Sequence, residues 1–304
     1  MPALVILGAN GFIGRAILSA PPPVPLTAIA RTAPPEVGRT VRWVALDLLT
    51  PGALAREVAA GDVVINLAYL ADADPAGNLE LINSVIAACV TAGAARLVHC
   101  STAVVAGRVA VSEVDETTPC VPFTPYERTK LALEACVLRA GQQGLDVAIL
   151  RPTAVVGPGG QNLLKLARAI ESGNSVVNYL RACLYGRRPM HLVSGRDVAA
   201  AAIHLALLPG PLAGGIYIVA ADESADNEFR QVEALLRAAL GVGPRRVPLL
   251  PVPSVLLSML LRRLGRSDTD LGRRYDATKL RASGCQPVQT VRDAVLDFGK
   301  SLRG

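Results

Sequence analysis

Leu4-Val-Ile-Leu-Gly-Ala-Asn-Gly-Phe-Ile-Gly14 decides how the rest of this chain is read: an apolar run enters three glycines spaced by two residues each. Gly8 permits a tight turn after a strand, and Gly11 lets backbone N–H groups approach a pyrophosphate. Gly14 lets the following helix pack closely on the strand. The N-terminus of that helix attracts an anionic diphosphate, so the loop from Gly8 through Asn10, Gly11, Phe12, Ile13 and Gly14 is a candidate dinucleotide site. The same spacing also suits a plain tight β–α turn, so the context decides.

The context is a strand–helix alternation. Apolar, β-branched runs at Ala3–Leu7, Leu26–Ala30, Val41–Ala45, Val63–Leu67, Leu97–Cys100 and Val147–Leu150 read as strands. Between them Ile13–Ser19, Ala53–Ala59, Leu79–Ala92 and Tyr126–Gln142 carry helical periodicity. Strands apolar throughout and separated by helices predict an α/β fold, a doubly wound parallel sheet covered on both faces. Pro21-Pro-Pro23 and Pro34-Pro35 mark loops. After Gly157-Pro-Gly-Gly160 a helix (Leu163–Glu171) leads into an irregular stretch. Ser194-Gly-Arg-Asp-Val198 then opens an alanine-rich helix, Gly215–Ala220 reads as one more strand, and Phe229–Leu240, Ser254–Leu264 and Val291–Leu302 read as helices. The expected division is a dinucleotide-binding domain over residues 1–157 and 190–222, with a smaller, discontinuous C-terminal substrate domain over 158–189 and 223–304.

Composition narrows the partners. The 304 residues are 51% hydrophobic and 18% charged, enough for a large core. The net charge of +6 comes from scattered basic residues, and only 4% of residues are aromatic, which argues against nucleic acid and leaves an anionic small molecule. Six cysteines, with no CxxC pairing, fit a reducing compartment without disulfides. No secretory signal is evident, and the apolar run Val247–Leu261 is broken by Pro248, Pro251 and Pro253, so a cytoplasmic protein with no membrane span is expected. His99, His191 and His204 have no metal-site spacing, so no metal is expected; His191 is a candidate substrate contact and the other two read as structural.

The second strand ends at Arg31, where an acidic residue would bind the adenosine ribose hydroxyls of NAD. A guanidinium there suits a 2′-phosphate, with Arg15 in support, which favours NADP(H) over NAD(H). Asp47-Leu48 is placed to meet the adenine, and Leu67-Ala-Tyr69 to border the nicotinamide-side ribose. Tyr126 and Lys130, four residues apart at a helix start, share one face. A cation there would lower the tyrosine pKa from about 10 and make it a usable acid or base, while Lys130 could also bind ribose hydroxyls.

With Leu97-Val-His-Cys-Ser-Thr-Ala-Val-Val-Ala-Gly107 upstream and Leu150-Arg-Pro-Thr-Ala-Val-Val-Gly-Pro-Gly159 downstream, nearly the whole chain resembles the extended short-chain dehydrogenase/reductase family, the NAD(P)-dependent epimerase/dehydratase group. The resemblance implies a Rossmann-type sheet. It also makes Thr102 the hydroxyl that hydrogen-bonds the reacting oxygen and Pro152 a border of the nicotinamide. Ala106 replaces the tyrosine of the family's turn. Arg188, in Arg187-Arg-Pro-Met-His-Leu-Val193, resembles the diphosphate-binding arginine, and Asn162 lies in the helix entry after Gly160 that would share the substrate.

The expected function is reduction of a 4-keto sugar on a nucleoside diphosphate, with Tyr126 as acid/base. An NAD-dependent C4 epimerase and a reductase of an apolar ketone are the alternatives. A dehydratase is disfavoured because Ala103-Val104 replaces the acidic pair of that branch, and a non-enzymatic dinucleotide sensor because Tyr126 and Lys130 are present. A homodimer is expected through Ile82, Ile86 and Val90 on one helix and Leu131, Ala135 and Leu138 on another.

Overall fold

The computed structural model describes residues 2–32, 41–71, 74–245, 247–250, 252, 254–263 and 270–303. Pro34-Pro35, Pro251, Pro253 and Leu264 lie outside the described residues. The chain forms two compact units, 1–102 with 125–151 and 198–217, and 103–124 with 152–197 and 218–304. Relative to the expected division, the second unit additionally claims 103–124, 152–157, 190–197 and 218–222.

In the first unit β1 (Leu4–Leu7), α1 (Phe12–Ser19), β2 (Leu26–Ala30), β3 (Arg42–Ala45), β4 (Val63–Asn66), α2 (Pro75–Ala92) and β5 (Arg96–Cys100) follow in order. The short strand β6 (Glu113–Val114) belongs to the second unit; α3 (Pro125–Gln142) and β7 (Val147–Pro152) return to the first. The chain then runs through β8 (Ala154–Val156), α4 (Leu164–Ser172), α5 (Ser175–Tyr185), β9 (Leu192–Ser194), α6 (Gly195–Leu207), β10 (Gly215–Val219), α7 (Phe229–Ala239), α8 (Ser254–Arg263), β11 (Arg274–Tyr275), α9 (Thr278–Ala282) and α10 (Val291–Ser301).

Seven strands form one sheet in the order β10-β7-β5-β4-β1-β2-β3. Val5 of β1 lies opposite Thr27 on one side and Val64 on the other, both pairings parallel. The chain leaves β1 outward to β2 and β3, then returns to β4 on the opposite side. The carboxyl ends of β1 and β4 are therefore the point where the winding reverses, and a crevice opens there in sheets of this kind. The continuous apolar composition of the strands follows from burial on both faces: Leu4, Val5, Ile6 and Leu7 are each at most 1% exposed. One core gathers Val5, Leu7, Ile29, Val64, Leu97 and Ile149 of the strands with Leu81, Val85, Leu133 and Val137 of α2 and α3.

Buried polar groups in this unit are locked by the fold. Arg96 donates to the carbonyl of Leu205 (2.7 Å), an orphan acceptor in the last turn of α6, and to those of Leu208 (2.8 Å) and Gly210 just beyond it. Asp146 balances its charge at 2.6 Å and accepts from the Leu212 and Ala213 amides with its other oxygen.

The second unit has its own apolar core, in which Val156, Leu163 and Leu192 meet Val232, Leu236, Val291, Val295 and Phe298. A smaller cluster joins Ala103, Ala106 and Val114 to Ile218 and Tyr275.

Two expectations change. Ala53–Ala59 yields only a 3₁₀ turn at Leu54–Arg56, since seven residues are too few to nucleate a stable helix. The stretch taken as irregular contains α5, with Asn174 capping the Val176 and Val177 amides. Of the six residues expected at a dimer face, Ile82 is 1% exposed, and Ile86, Leu131 and Leu138 are half-buried, with Ile86 and Leu138 packing on the unit's own core. Val90, at 58%, and Ala135 stay exposed.

Candidate active site

The glycine loop has the geometry its residues demand. Gly8 sits at φ +78°, where an L side chain is strained, and a Cβ there would lie 3.0 Å from the Ala68 amide nitrogen at the end of β4. A Cβ on Gly14 would meet the Ala9 carbonyl carbon at 2.7 Å, so only glycine lets α1 lie this close to the turn. Gly11 caps α1, no side chain caps it, and its first turn holds no acid. The leading N–H groups, on Phe12, Ile13 and Gly14, have no partner within the helix and suit an anion. Asn10 donates its side-chain amide to the Thr32 carbonyl and so ties the loop to the end of β2. Arg15, expected to help Arg31, instead donates to the Asn10 carbonyl at 2.9 Å and braces the loop. Arg31 is exposed just past β2.

Asp47 is exposed and folds back onto the Leu49 amide at 3.0 Å. Leu48 belongs to the core, so its side chain is unavailable and it offers a ligand only its backbone. At the end of β4, Asn66 accepts from the Ala68 amide (3.0 Å) and contacts His99 Nδ1 at 3.2 Å. Leu67, Ala68 and Tyr69 are half-buried beyond it. Burial first, and the Lys130 charge second, hold the His99 pKa well below 6.5, so the ring is neutral and Asn66 is the donor to it.

Tyr126 and Lys130 stand one turn apart at the start of α3, and Thr102 follows the end of β5. The structure brings all three together. The Tyr126 hydroxyl is hydrogen-bonded to Thr102. The Tyr69 ring meets the Tyr126 ring edge-on at 5.7 Å, and Lys130 Nζ lies 4.9 Å from the Tyr69 centroid. Lys130, 3% exposed, donates to the Cys100 carbonyl at 2.9 Å. An ammonium has three donors, so two are left for ligand hydroxyls. Together with the glycine cradle, this fits a dinucleotide.

The electrostatics differ from expectation. Tyr126 is pushed up to about 12, not down: burial acts first, then the neighbouring Tyr69 and Cys100, against a smaller lowering by the Thr102 hydrogen bond. Burial also lowers the Lys130 pKa, and its ammonium is spent on a carbonyl rather than on the phenol. Tyr126 keeps 45% exposure. At neutral pH the phenol holds its proton and is an acid. Cys100, whose carbonyl anchors Lys130, was not foreseen; its position directly before Ser101-Thr102 was the available signal.

The remaining expected site residues, Pro152 toward the cofactor and Asn162 and Arg188 toward the substrate, belong to the second unit. Pro152, at its edge, is buried. Asn162 donates its amide to the Val155 carbonyl at 2.8 Å. The Arg188 guanidinium lies 5.7 Å from the Tyr185 ring centroid. His191, at φ +51°, is engaged through Nδ1 with Asp222 at 2.6 Å and packs edge-on against Tyr275. Among the described residues no cluster of His, Cys, Asp or Glu could hold a metal, and no helix is long and apolar enough to cross a membrane.

The family model for the NAD dependent epimerase/dehydratase family matches residues 4–220. The chain belongs to this family. It is 30% identical over 256 residues to a dTDP-4-dehydrorhamnose reductase of Mycolicibacterium smegmatis, covering 80% of this chain and 71% of that protein. It is 30% identical over 185 residues to a 2-alkyl-3-oxoalkanoate reductase of Stenotrophomonas maltophilia, 56% of each. Its fold is similar to a dTDP-glucose 4,6-dehydratase of Streptomyces venezuelae with NAD bound (TM-score 0.70, 24% identity, 99% and 97% covered). It is likewise similar to a UDP-glucose 4-epimerase of Thermus thermophilus in complex with NAD (0.69, 24%, 99% of each). The protein is thus an enzyme of the NAD(P)-dependent epimerase, dehydratase and reductase group, with the Rossmann-type fold of its structural neighbours.

Proposed function

We propose that the protein reduces a ketone with a reduced nicotinamide dinucleotide, preferring NADPH, and that the ketone is a 4-keto sugar on a nucleoside diphosphate. The observation that carries this reading is the Tyr126–Thr102 hydrogen bond beside a phenol that keeps its proton at neutral pH. Reduction needs an acid at the carbonyl oxygen, and a phenol that holds its proton at neutral pH can be that acid. When bound, the dinucleotide supplies the hydride. Tyr126 gives its proton to the carbonyl oxygen, Thr102 donates a hydrogen bond to that oxygen, and Lys130 holds ribose hydroxyls. The Gly8–Gly14 loop takes the pyrophosphate, Asp47 and the Leu48 backbone the adenine, and Leu67, Ala68, Tyr69 and Pro152 border the nicotinamide side. Asn162 and Arg188 are assigned to the substrate. The similarity to the mycobacterial dTDP-4-dehydrorhamnose reductase supports both substrate class and direction. The similarity to the 2-alkyl-3-oxoalkanoate reductase supports the second reading, an apolar ketone.

The test is oxidation of NADPH by the purified protein with dTDP-4-dehydrorhamnose, against the same assay with a 2-alkyl-3-oxoalkanoate. Turnover of neither, with UDP-glucose epimerised instead, overturns the reading. Arg31 sets the cofactor: NADPH should bind at least about tenfold tighter than NADH, since a charge-assisted contact contributes about 1.5–3 kcal/mol. Arg31→Asp should reverse the order, and equal dissociation constants would return NAD-dependent epimerisation to the lead.

A further inference from the structure

We infer that Tyr69 is a positioning residue of the Tyr126 site: the face of its ring holds the Lys130 ammonium, and the ring packs at right angles against Tyr126. The inference rests on the proposed reduction, which uses both of those groups. It gives a task to a side chain otherwise assigned only to the nicotinamide border.

The placement of Tyr69 is fixed from both sides. Before it, Asn66 Oδ1 accepts from the Ala68 amide at 3.0 Å. After it, Asn78 of α2 accepts from the Leu70 amide and donates to the Leu70 carbonyl, both at 3.0 Å. Asn66 and Asn78 are each 1% exposed, so two buried side chains pin the backbone that carries the ring. Lys130 Nζ lies 4.9 Å from the Tyr69 centroid, inside the about 6 Å over which a ring face attracts a cation. The Tyr126 ring stands 5.7 Å away at 88°, an edge-on arrangement that aromatic pairs favour.

The ammonium needs such a partner. Lys130 is buried, and burial drives it toward the neutral form. Among the described residues, none of the titratable neighbours that act on it is an unpaired anion. From β5, His99 is held neutral, and burial raises the Cys100 thiol, which keeps its proton; the Cys100 carbonyl accepts from Nζ. From α3, Tyr126 keeps its proton at neutral pH, and Glu134, which favours the charged lysine, is itself bound through both oxygens by Arg151. Burial pushes the Tyr69 phenol up as well, so Tyr69 is uncharged and meets the cation with the electron-rich face of its ring.

The test is a titration of Lys130 by NMR in the full-length protein, without dinucleotide or substrate. The chain has only four lysines, Lys130, Lys165, Lys279 and Lys300, so carbon-13 at lysine Cε gives four signals, and Lys130→Met assigns one of them. Tyr69→Leu removes the ring and should lower the Lys130 midpoint by about 0.4–1.5 units, the strength of a cation–ring contact. Tyr69→Phe keeps the ring face and should titrate close to the parent. Tyr69→Met fills similar space without a ring, should read like Tyr69→Leu, and replaces it if that variant fails to fold. The inference is overturned if the ring-free variants leave the midpoint where it was, or if Tyr69→Phe lowers it as far, which would make the hydroxyl the holder. The fate of the proposed reduction is read separately. A lowered midpoint in a protein that oxidises no NADPH keeps the hold of Tyr69 on Lys130 and removes the reduction, whereas NADPH oxidation with an unmoved midpoint does the reverse.

Discussion

Tyr126→Phe keeps the fold and the dinucleotide affinity and lowers kcat by about 10²–10⁴, the loss expected when a positioned acid is removed. The ring stays, so its edge-on contact with Tyr69 stays; only the hydroxyl bonded to Thr102 goes. Thr102→Val should cost less, because the phenol still delivers its proton to a less well oriented oxygen. Lys130→Met should weaken dinucleotide binding as well as rate, since it removes the two donors left over after the Cys100 carbonyl is satisfied. The pH profile carries the sign of the Tyr126 shift. A phenol pushed up to about 12 remains protonated through neutrality, so the rate of reduction should be level over about pH 6–9 and fall only as alkali ionises it. A base needed in ionised form would give the opposite slope, with activity rising through the same range. Near-normal turnover by Tyr126→Phe would remove the residue from the chemistry altogether.

How far the sequence announces this site depends on how local each part is. The strands were legible because a parallel sheet buries both faces, and Leu26–Ala30 forms at the expected bounds. The glycine loop was legible because its constraint is intrinsic: a positive φ at Gly8 and a collision at Gly14 follow from a turn between adjacent elements. α5 was not, because Val176-Val177 and Asn178 are weak helix formers; only the Asn174 cap announced it. The direction of the Tyr126 shift was beyond reach as well. Four-residue spacing places a lysine beside a tyrosine, but it does not say that the ammonium will turn to the Cys100 carbonyl or that burial will outweigh it. His191 with Asp222 and Arg151 with Glu134 are 31 and 17 residues apart, and only the folded chain pairs them.

The Arg151–Glu134 pair gives the largest expected effect on stability. Arg151 donates Nε to one carboxylate oxygen at 3.0 Å and a terminal nitrogen to the other at 2.6 Å, with side chains only 6% and 1% exposed. The pair ties β7 to the middle of α3, one turn beyond Lys130. Glu134→Leu strands the guanidinium without its carboxylate and should cost about 3–5 kcal/mol, whereas the double variant Glu134→Leu with Arg151→Met should regain most of that loss. Urea unfolding of the two variants beside the parent measures both. Function should not follow stability back. Glu134 is also one of the groups that hold the Lys130 charge up against burial. The double variant should therefore fold well and still bind dinucleotide more weakly, with Lys130 losing its proton at lower pH. Recovery of both stability and affinity would make Glu134 a brace for the helix and nothing more.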